Sequence, residues 1–348
     1  MKIFYAVQAT GNGHIARASE LLPHLQRFGE VDIFLSGSNA QLNSNLPVKF
    51  RDRGISLFYK TGGTLDYMKI ARQILNPFRI IKSAMALPVE KYDLIINDFE
   101  FITSLACRLK KVPSVQFGHQ ASFHSDFAPR PEKSDPAGEW ILSNYCHAHL
   151  NLGLHFKPYD EQITWPIIKS RIWNSTPKNL GYVAVYLPQL SMKEIYRELK
   201  SLNNIRFQVF CKEANYISQQ DNITWFPIDN EMFTQSMLDC HGVITGGGFE
   251  TPAECMFLGK KLMVFPISGQ YEQKCNAAAL REWNIPELKT WDINTGAAID
   301  RWYQSQEEII YKPQRTTAQV VDWMFELSSN HLNRKNHSGL LSFPRAFT

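Results

Sequence analysis

The sequence predicts an α/β protein built from two successive sets of strand–helix repeats, each folding around a parallel sheet. Three observations carry this. The chain opens on an apolar strand, a glycine turn, an amphipathic helix and a second strand, all within residues 2–35. The same rhythm restarts at Val183–Leu187, after a passage rich in proline and aromatic residues. Residues 243–276 repeat it again as strand, glycine turn, helix, strand, polar turn and helix. Strand–turn–helix–strand units of this kind close into parallel sheets through right-handed crossovers. A chain of 348 residues accommodates two domains of ordinary size. The landmarks place a first domain over residues 1–160, a second over 175–330 and a polar tail over 331–348.

Taken in order, Lys2–Val7 is the first strand and Gln8–Gly13 a polar glycine turn. His14–Phe28 is a helix whose Ile15, Leu21, Leu22 and Leu25 share one buried face. Val31–Leu35 is the second strand. The turn sits at the carboxyl end of the first strand, where open α/β sheets bind ligands. His14 therefore reads either as a general base or phosphate contact, or as a helix-start histidine bonded to backbone. Phe50–Tyr59 adds one or two strands. The segment Leu65–Pro88 mixes Met68, Ile70, Ile74, Leu75, Phe78, Ile80, Ile81 and Met85 with Lys69, Arg72, Arg79 and Lys82, and Pro77 is expected to break or kink it. Such a basic amphipathic stretch suits an anionic membrane surface, or a core-packing helix with a solvated basic face.

Tyr92–Asn97 is a buried strand ending at Asp98, followed by a helix over Phe101–Lys110. Pro113–Phe117 is the next strand and ends before His119. Asp98, Glu100, His119 and His14 are expected to share one cleft, with a helix N-cap as the alternative role for Asp98. Gly138–His147 reads as helix, His149–Leu154 as strand, and His155–Asn174 as the passage between domains. Beyond it come a helix at Met192–Leu199, strands at Arg206–Phe210 and Thr224–Phe226, and a helix at Phe233–Leu238. Ile299–Gln304 and Thr316–Leu327 are helical, and the chain from Asn330 reads as a loose polar tail.

Composition narrows the function classes. With 44% hydrophobic and 20% charged residues, the chain is globular rather than disordered. No apolar run reaches the roughly 18 residues a membrane span needs. The opening residues enter a strand directly, without a signal-peptide pattern, so a cytoplasmic location is expected. Six scattered cysteines form no C-x-x-C pair, which argues against a zinc site or disulfide framework and for burial. A net charge of +4 is too small to imply nucleic acid.

The stretch 243–276 carries the chemistry. Val243–Thr245 runs into Gly246, Gly247 and Gly248, and Phe249–Leu258 is a helix with Pro252 in its first turn and Gly259 at its end. Glycines let the backbone approach a ligand closely, and the helix aims its free N–H groups at the gap. An anion fits there. The pattern is neither a Walker P-loop nor a dinucleotide fingerprint. Glu254, one to two turns into the helix, is placed to take ribose hydroxyls if a diphosphate sits at the helix start. Lys261–Phe265 is the next strand, Gly269–Gln273 a polar turn and Cys275–Trp283 a helix.

Gly11-Asn12-Gly13-His14 resembles the G-x-G-G-H loop of MurG-like enzymes, glycosyltransferase family 28. Gly246-Gly247-Gly248-x-x-Thr251-x-x-Glu254 resembles that family's nucleotide-sugar helix. Gly269-Gln270-x-Glu272-Gln273-x-x-Asn276-Ala277 resembles its sugar-contacting turn. The resemblance covers both halves in order and implies the GT-B architecture, two Rossmann-like domains facing across a cleft. It implies an enzyme that moves a sugar from a nucleoside-diphosphate sugar, by default a UDP-sugar, to an acceptor hydroxyl, with inversion and without a metal or other cofactor. Gly247 and Gly248 would seat the diphosphate, Thr251 would reach it, Glu254 would bind ribose and Gln273 would hold the sugar. His14 is the first choice for general base and Asp98 the second. The acceptor would meet the N-terminal domain, and membrane contact by residues 65–88 would make it lipid-linked, as a cell-envelope glycan precursor is. Two departures stand out. Glu272-Gln273 replaces consecutive glutamines, and Asn12 replaces a loop glycine. The alternatives are a non-hydrolysing UDP-sugar 2-epimerase, for which no specific motif is present, and a non-catalytic nucleotide-sugar-binding protein, against which His14 and Asp98 both argue.

Overall fold

A computed structural model describes residues 1–9, 12–37, 46–55, 68, 76–306 and 309–336. The N-terminal half is a seven-stranded parallel sheet of order β3-β2-β1-β4-β5-β6-β7. Its strands are β1 (Lys2–Gln8), β2 (Glu30–Ser36), β3 (Val48–Asp52), β4 (Leu94–Asp98), β5 (Val115–Gly118), β6 (Leu150–Leu154) and β7 (Ile163–Thr164). The C-terminal half is a six-stranded sheet of order β10-β11-β9-β8-β12-β13. It contains β8 (Tyr182–Tyr186), β9 (Arg206–Phe210), β10 (Ser218–Gln220), β11 (Ile223–Phe226), β12 (Gly242–Thr245) and β13 (Lys261–Val264). The pairing of β10 with β11 is antiparallel and the other described pairs are parallel.

The helices are α1 (Asn12–Leu25), α2 (Pro77–Ala86), α3 (Phe101–Lys110), α4 (Pro136–Asn144), α5 (Ser170–Trp173), α6 (Met192–Leu199), α7 (Asn230–Asp239), α8 (Glu250–Phe257), α9 (Tyr271–Leu280), α10 (Thr295–Gln304) and α11 (Thr317–Asn336). Strand β1 is apolar on both faces because helices cover both. Ile3, Tyr5 and Val7 pack with Ile15, Leu21 and Leu25 of α1, whereas Phe4 and Ala6 face Ile80 of α2 and Ile102 of α3. Strand order reverses between β1 and β4 in the first sheet and between β8 and β12 in the second. Ligands of open parallel sheets bind outside such switch points. The two crevices face each other.

Some elements match the sequence reading and others differ. Pro77 makes the expected break by starting α2, where Asn76 caps the helix by accepting from Arg79 N at 3.0 Å and proline suits a first helical turn. Residues 65–67 and 69–75 of that segment, and 56–59 of the expected Phe50–Tyr59 strands, lie outside the described residues. Helix α9 begins at Tyr271, so Glu272 and Gln273 occupy its first turn rather than a loop. The expected loose tail from Asn330 is helical through Asn336, as part of α11. That helix returns to the first sheet, where Phe325 stacks on Phe28 with centroids 3.7 Å apart and Asp322 accepts from Arg27 at 3.1 Å. All six cysteines are buried and unpaired.

Candidate active site

Helix α1 follows the first strand's turn and presents His14 and Arg17, one helical turn apart, to the carboxyl end of β4. There Asp98, fully buried, receives both. Its Oδ1 lies 3.0 Å from His14 Nδ1 and 2.7 Å from Arg17 Nη2, and its Oδ2 accepts from Arg17 Nε at 3.1 Å. The bidentate fork of the guanidinium suits a carboxylate in this geometry. Burial alone would raise the Asp98 pKa, but Arg17 and then His14 outweigh it and hold the carboxyl down at about 2. Arg17 is likewise buried and pushed above its ordinary range by Asp98 and Glu250 despite desolvation. Asp98 is not a helix cap. Glu100 fills that role for α3, accepting from Ile102 N at 2.8 Å and Thr103 N at 2.6 Å, and this takes Glu100 out of the expected cleft cluster.

The C-terminal half closes over this group. Glu250, the first residue of α8, pairs with Arg17 Nη1. Its Oε2 lies so near Gly13 that a Cβ there would stand 2.7 Å from it and would displace the carboxylate. His119 is wholly buried. It donates from Nδ1 to Leu154 O at 2.8 Å, places Nε2 2.7 Å from Asn276 Oδ1, and stacks on Phe249 with centroids 3.9 Å apart. Burial lowers its pKa against the opposing pull of Glu272. Gln120 donates to Glu272 at 2.9 Å and its Nε2 stands 3.5 Å from His14 Nε2. Asn276 in turn donates to Gly247 O at 3.2 Å, tying α9 to the glycine turn.

Gly247 has φ +81°, a conformation that favours glycine, and a Cβ on Gly248 would meet nothing within 4 Å, so that backbone is open to a ligand. Gln273 lies against Gly246, with its Oε1 3.5 Å from where a Cβ would be, and donates to Gln270 Oε1 at 2.6 Å. Glu254 is buried and bonded to Lys169 Nζ at 3.2 Å. Burial raises the Glu254 pKa and Lys169 opposes the rise. Thr251 and Lys169 line a cavity whose far wall is aromatic, made by Tyr186, Phe210 and Phe233 at the carboxyl ends of β8 and β9 and on α7. Among the described residues, no group of three His, Cys, Asp or Glu side chains converges as metal ligands.

Of the residues expected at the site, the fold brings His14, Gly13 and Asp98 together with the α8 and α9 residues. Gly11 lies outside the described residues, and Asn12 begins α1. Sequence reading missed Arg17, Glu250, Gln120, Lys169 and the aromatic wall. Arg17 had a signal, a charge at the buried stripe of α1 three residues after His14. Lys169 had none, since it lies in the irregular passage between the halves.

The family model described as "Glycosyl transferase family 1" matches residues 1–298. The fold is similar to that of the Arabidopsis thaliana protein UGT89C1, solved in complex with UDP, at 11% identity and a TM-score of 0.59, over 95% of this chain and 99% of that one. It is similar to the spinosyn forosaminyltransferase SpnP at 11% identity and a TM-score of 0.56, over 94% and 95%. It is also similar to the glycosyltransferase VinC, solved with DTDP, at 12% identity and a TM-score of 0.53, over 97% and 100%. No curated protein matches the sequence significantly.

Proposed function

This chain belongs to glycosyl transferase family 1 and is a glycosyltransferase of GT-B architecture, and we propose that it transfers a sugar with inversion from a nucleoside-diphosphate sugar to an acceptor hydroxyl, using His14 as general base. The observation that carries this is the His14–Asp98 pair set across the cleft from the glycine turn. Nδ1 of His14 lies 3.0 Å from Asp98 Oδ1, and in the tautomer that donates this proton to the carboxylate the Nε2 lone pair is left for the acceptor. That nitrogen takes the acceptor's proton as the hydroxyl oxygen attacks the anomeric carbon and the bond to the diphosphate breaks. The departing charge meets the amides of Gly246–Gly248 and the amino end of α8. Asp98, sequestered behind His14 and forked by Arg17, orients and stabilises the imidazolium and is not the base. The finer likeness to family 28 rests on the short motifs. It supports diphosphate contact by Thr251, ribose contact by Glu254, sugar contact by Gln270, Glu272, Gln273 and Asn276, and UDP as the nucleotide. The aromatic wall suits a nucleobase. In this reading no step is assigned to a metal.

A thermal-shift screen with UDP, GDP, dTDP and their common sugar conjugates tests the donor reading, because a ligand of the folded state raises its apparent stability. One nucleotide series is expected to raise the melting temperature, and Glu254→Ala to weaken that shift. No shift with any of the three series would sink the reading.

The lipid-linked acceptor is supported by α2. Its buried residues are Ile80 and Ala84, while Phe78 (82% exposed), Ile81 (46%) and Met85 (53%) form an outward apolar stripe beside exposed Lys82. Apolar side chains flanked by a cation suit an anionic bilayer surface. Sedimentation with phosphatidylglycerol vesicles is expected to carry down the protein, and Phe78→Ser to reduce this. Equal recovery in the supernatant with and without vesicles removes the membrane from the proposal.

A further inference from the structure

We propose that Arg17 is the cation that binds the donor diphosphate, and that the Glu250 carboxylate competes with the diphosphate for it. The proposal rests on the donor reading above and names a contact within that site. Among the described residues, Arg17 and Lys169 pair with carboxylates of the helix that follows the glycine turn, Arg17 with Glu250 and Lys169 with Glu254. Arg17 divides its donors. Nε and Nη2 hold Asp98, while Nη1 reaches across the cleft to Glu250. The Asp98 edge is enclosed. The Glu250 edge is not, since the Glu250 side chain retains 24% of its exposure and stands on the first turn of α8, free to rotate outward.

The position Glu250 holds is one made for an anion. Its carboxylate lies between the guanidinium, the amino end of α1 at Gly13 and the first turn of its own helix. Helix starts of this kind favour an anion through their free N–H groups and positive dipole ends. The charge balance then requires an exchange. Asp98 and Glu250 pair with Arg17, Glu254 pairs with Lys169, and Glu272 stands nearby, accepting from Gln120. Adding a diphosphate to four carboxylates and two cations is repulsive unless one carboxylate withdraws. Glu250 is the Arg17 partner able to do so. Once it has rotated away, one guanidinium holds Asp98 by one edge and the departing diphosphate by the other. The base and the leaving group are then positioned by a single side chain.

The test is calorimetric titration of wild type and Glu250→Gln with UDP, dTDP and GDP, and with the matching nucleosides. Removing the competing charge is expected to tighten the nucleoside diphosphate by about tenfold and to leave the nucleoside unchanged. Arg17→Lys placed on the Glu250→Gln background is expected to abolish the gain, because lysine lacks the second donor edge. Melting followed by circular dichroism checks that each variant is folded. Wild-type binding with no gain in Glu250→Gln, or an equal gain with the nucleoside, overturns this inference and leaves the donor reading intact. Failure of both proteins to bind all three diphosphates overturns both.

Discussion

Replacing His14 by alanine is expected to lower kcat about a thousandfold while leaving donor affinity within a small factor, the size of effect that loss of a general base produces. The separation of the two effects follows from position. His14 sits on α1 in the N-terminal half, bonded to Asp98, whereas the glycine turn, Glu254 and the aromatic cavity belong chiefly to the C-terminal half. The measurement is a steady-state comparison of kcat and KM with the donor found in the nucleotide screen. Residual activity within about tenfold of wild type would exclude His14 as the base, given that positioned proton transfer accounts for a factor of at least about a hundred. Asp98→Asn is the informative companion. It keeps the shape but removes the charge opposite the imidazolium, so its loss should fall in kcat as well.

Arg17→Met is expected to destabilise the fold by about 3–5 kcal/mol, the range seen when one partner of a buried ion pair is removed. Asp98 has no exposure to fall back on, and Arg17 supplies three of its hydrogen bonds. The pH dependence gives the mechanism. In wild type the Asp98 pKa is depressed from 3.8 to about 2, so its contribution is fully present above about pH 4 and lost as pH falls toward 2. In the variant, burial is left opposed by His14 alone and the carboxyl pKa rises. The variant is therefore penalised most at neutral pH, and the gap to wild type should narrow as the solution is acidified and Asp98 takes up a proton. Urea denaturation at pH 7 and pH 4 measures both points. A gap that is constant across this range would show that lost packing of the arginine stem, and not the unpaired carboxylate, sets the cost.

What the sequence by itself determined is what local pattern can express. Continuous apolar runs such as Ile3–Val7 and Leu94–Ile96 bounded by turn residues suit interior parallel strands, and glycines follow β12 where the chain turns into α8. Helical phase after Gly248 put Thr251 and Glu254 on α8, and the fold adds that Thr251 lines the aromatic cavity while Glu254 is buried against Lys169. The break at Pro77 was legible locally, and Asn76, the capping residue before it, makes the proline the start of a new helix. The tertiary structure alone decided the pairings. Arg17 finds Asp98 81 residues away and Glu250 233 residues away, and no periodicity records such separations. His119 was placed at a strand end correctly, but its partners Phe249 and Asn276 come from the other half of the chain. Helix α11 packs back against the first sheet's helix layer through Phe325 on Phe28, a contact between chain ends that the helical reading of Thr316–Leu327 does not record. Charges and aromatic rings on separate elements acquire meaning only when packing removes water from between them, because burial is what makes their mutual contacts strong.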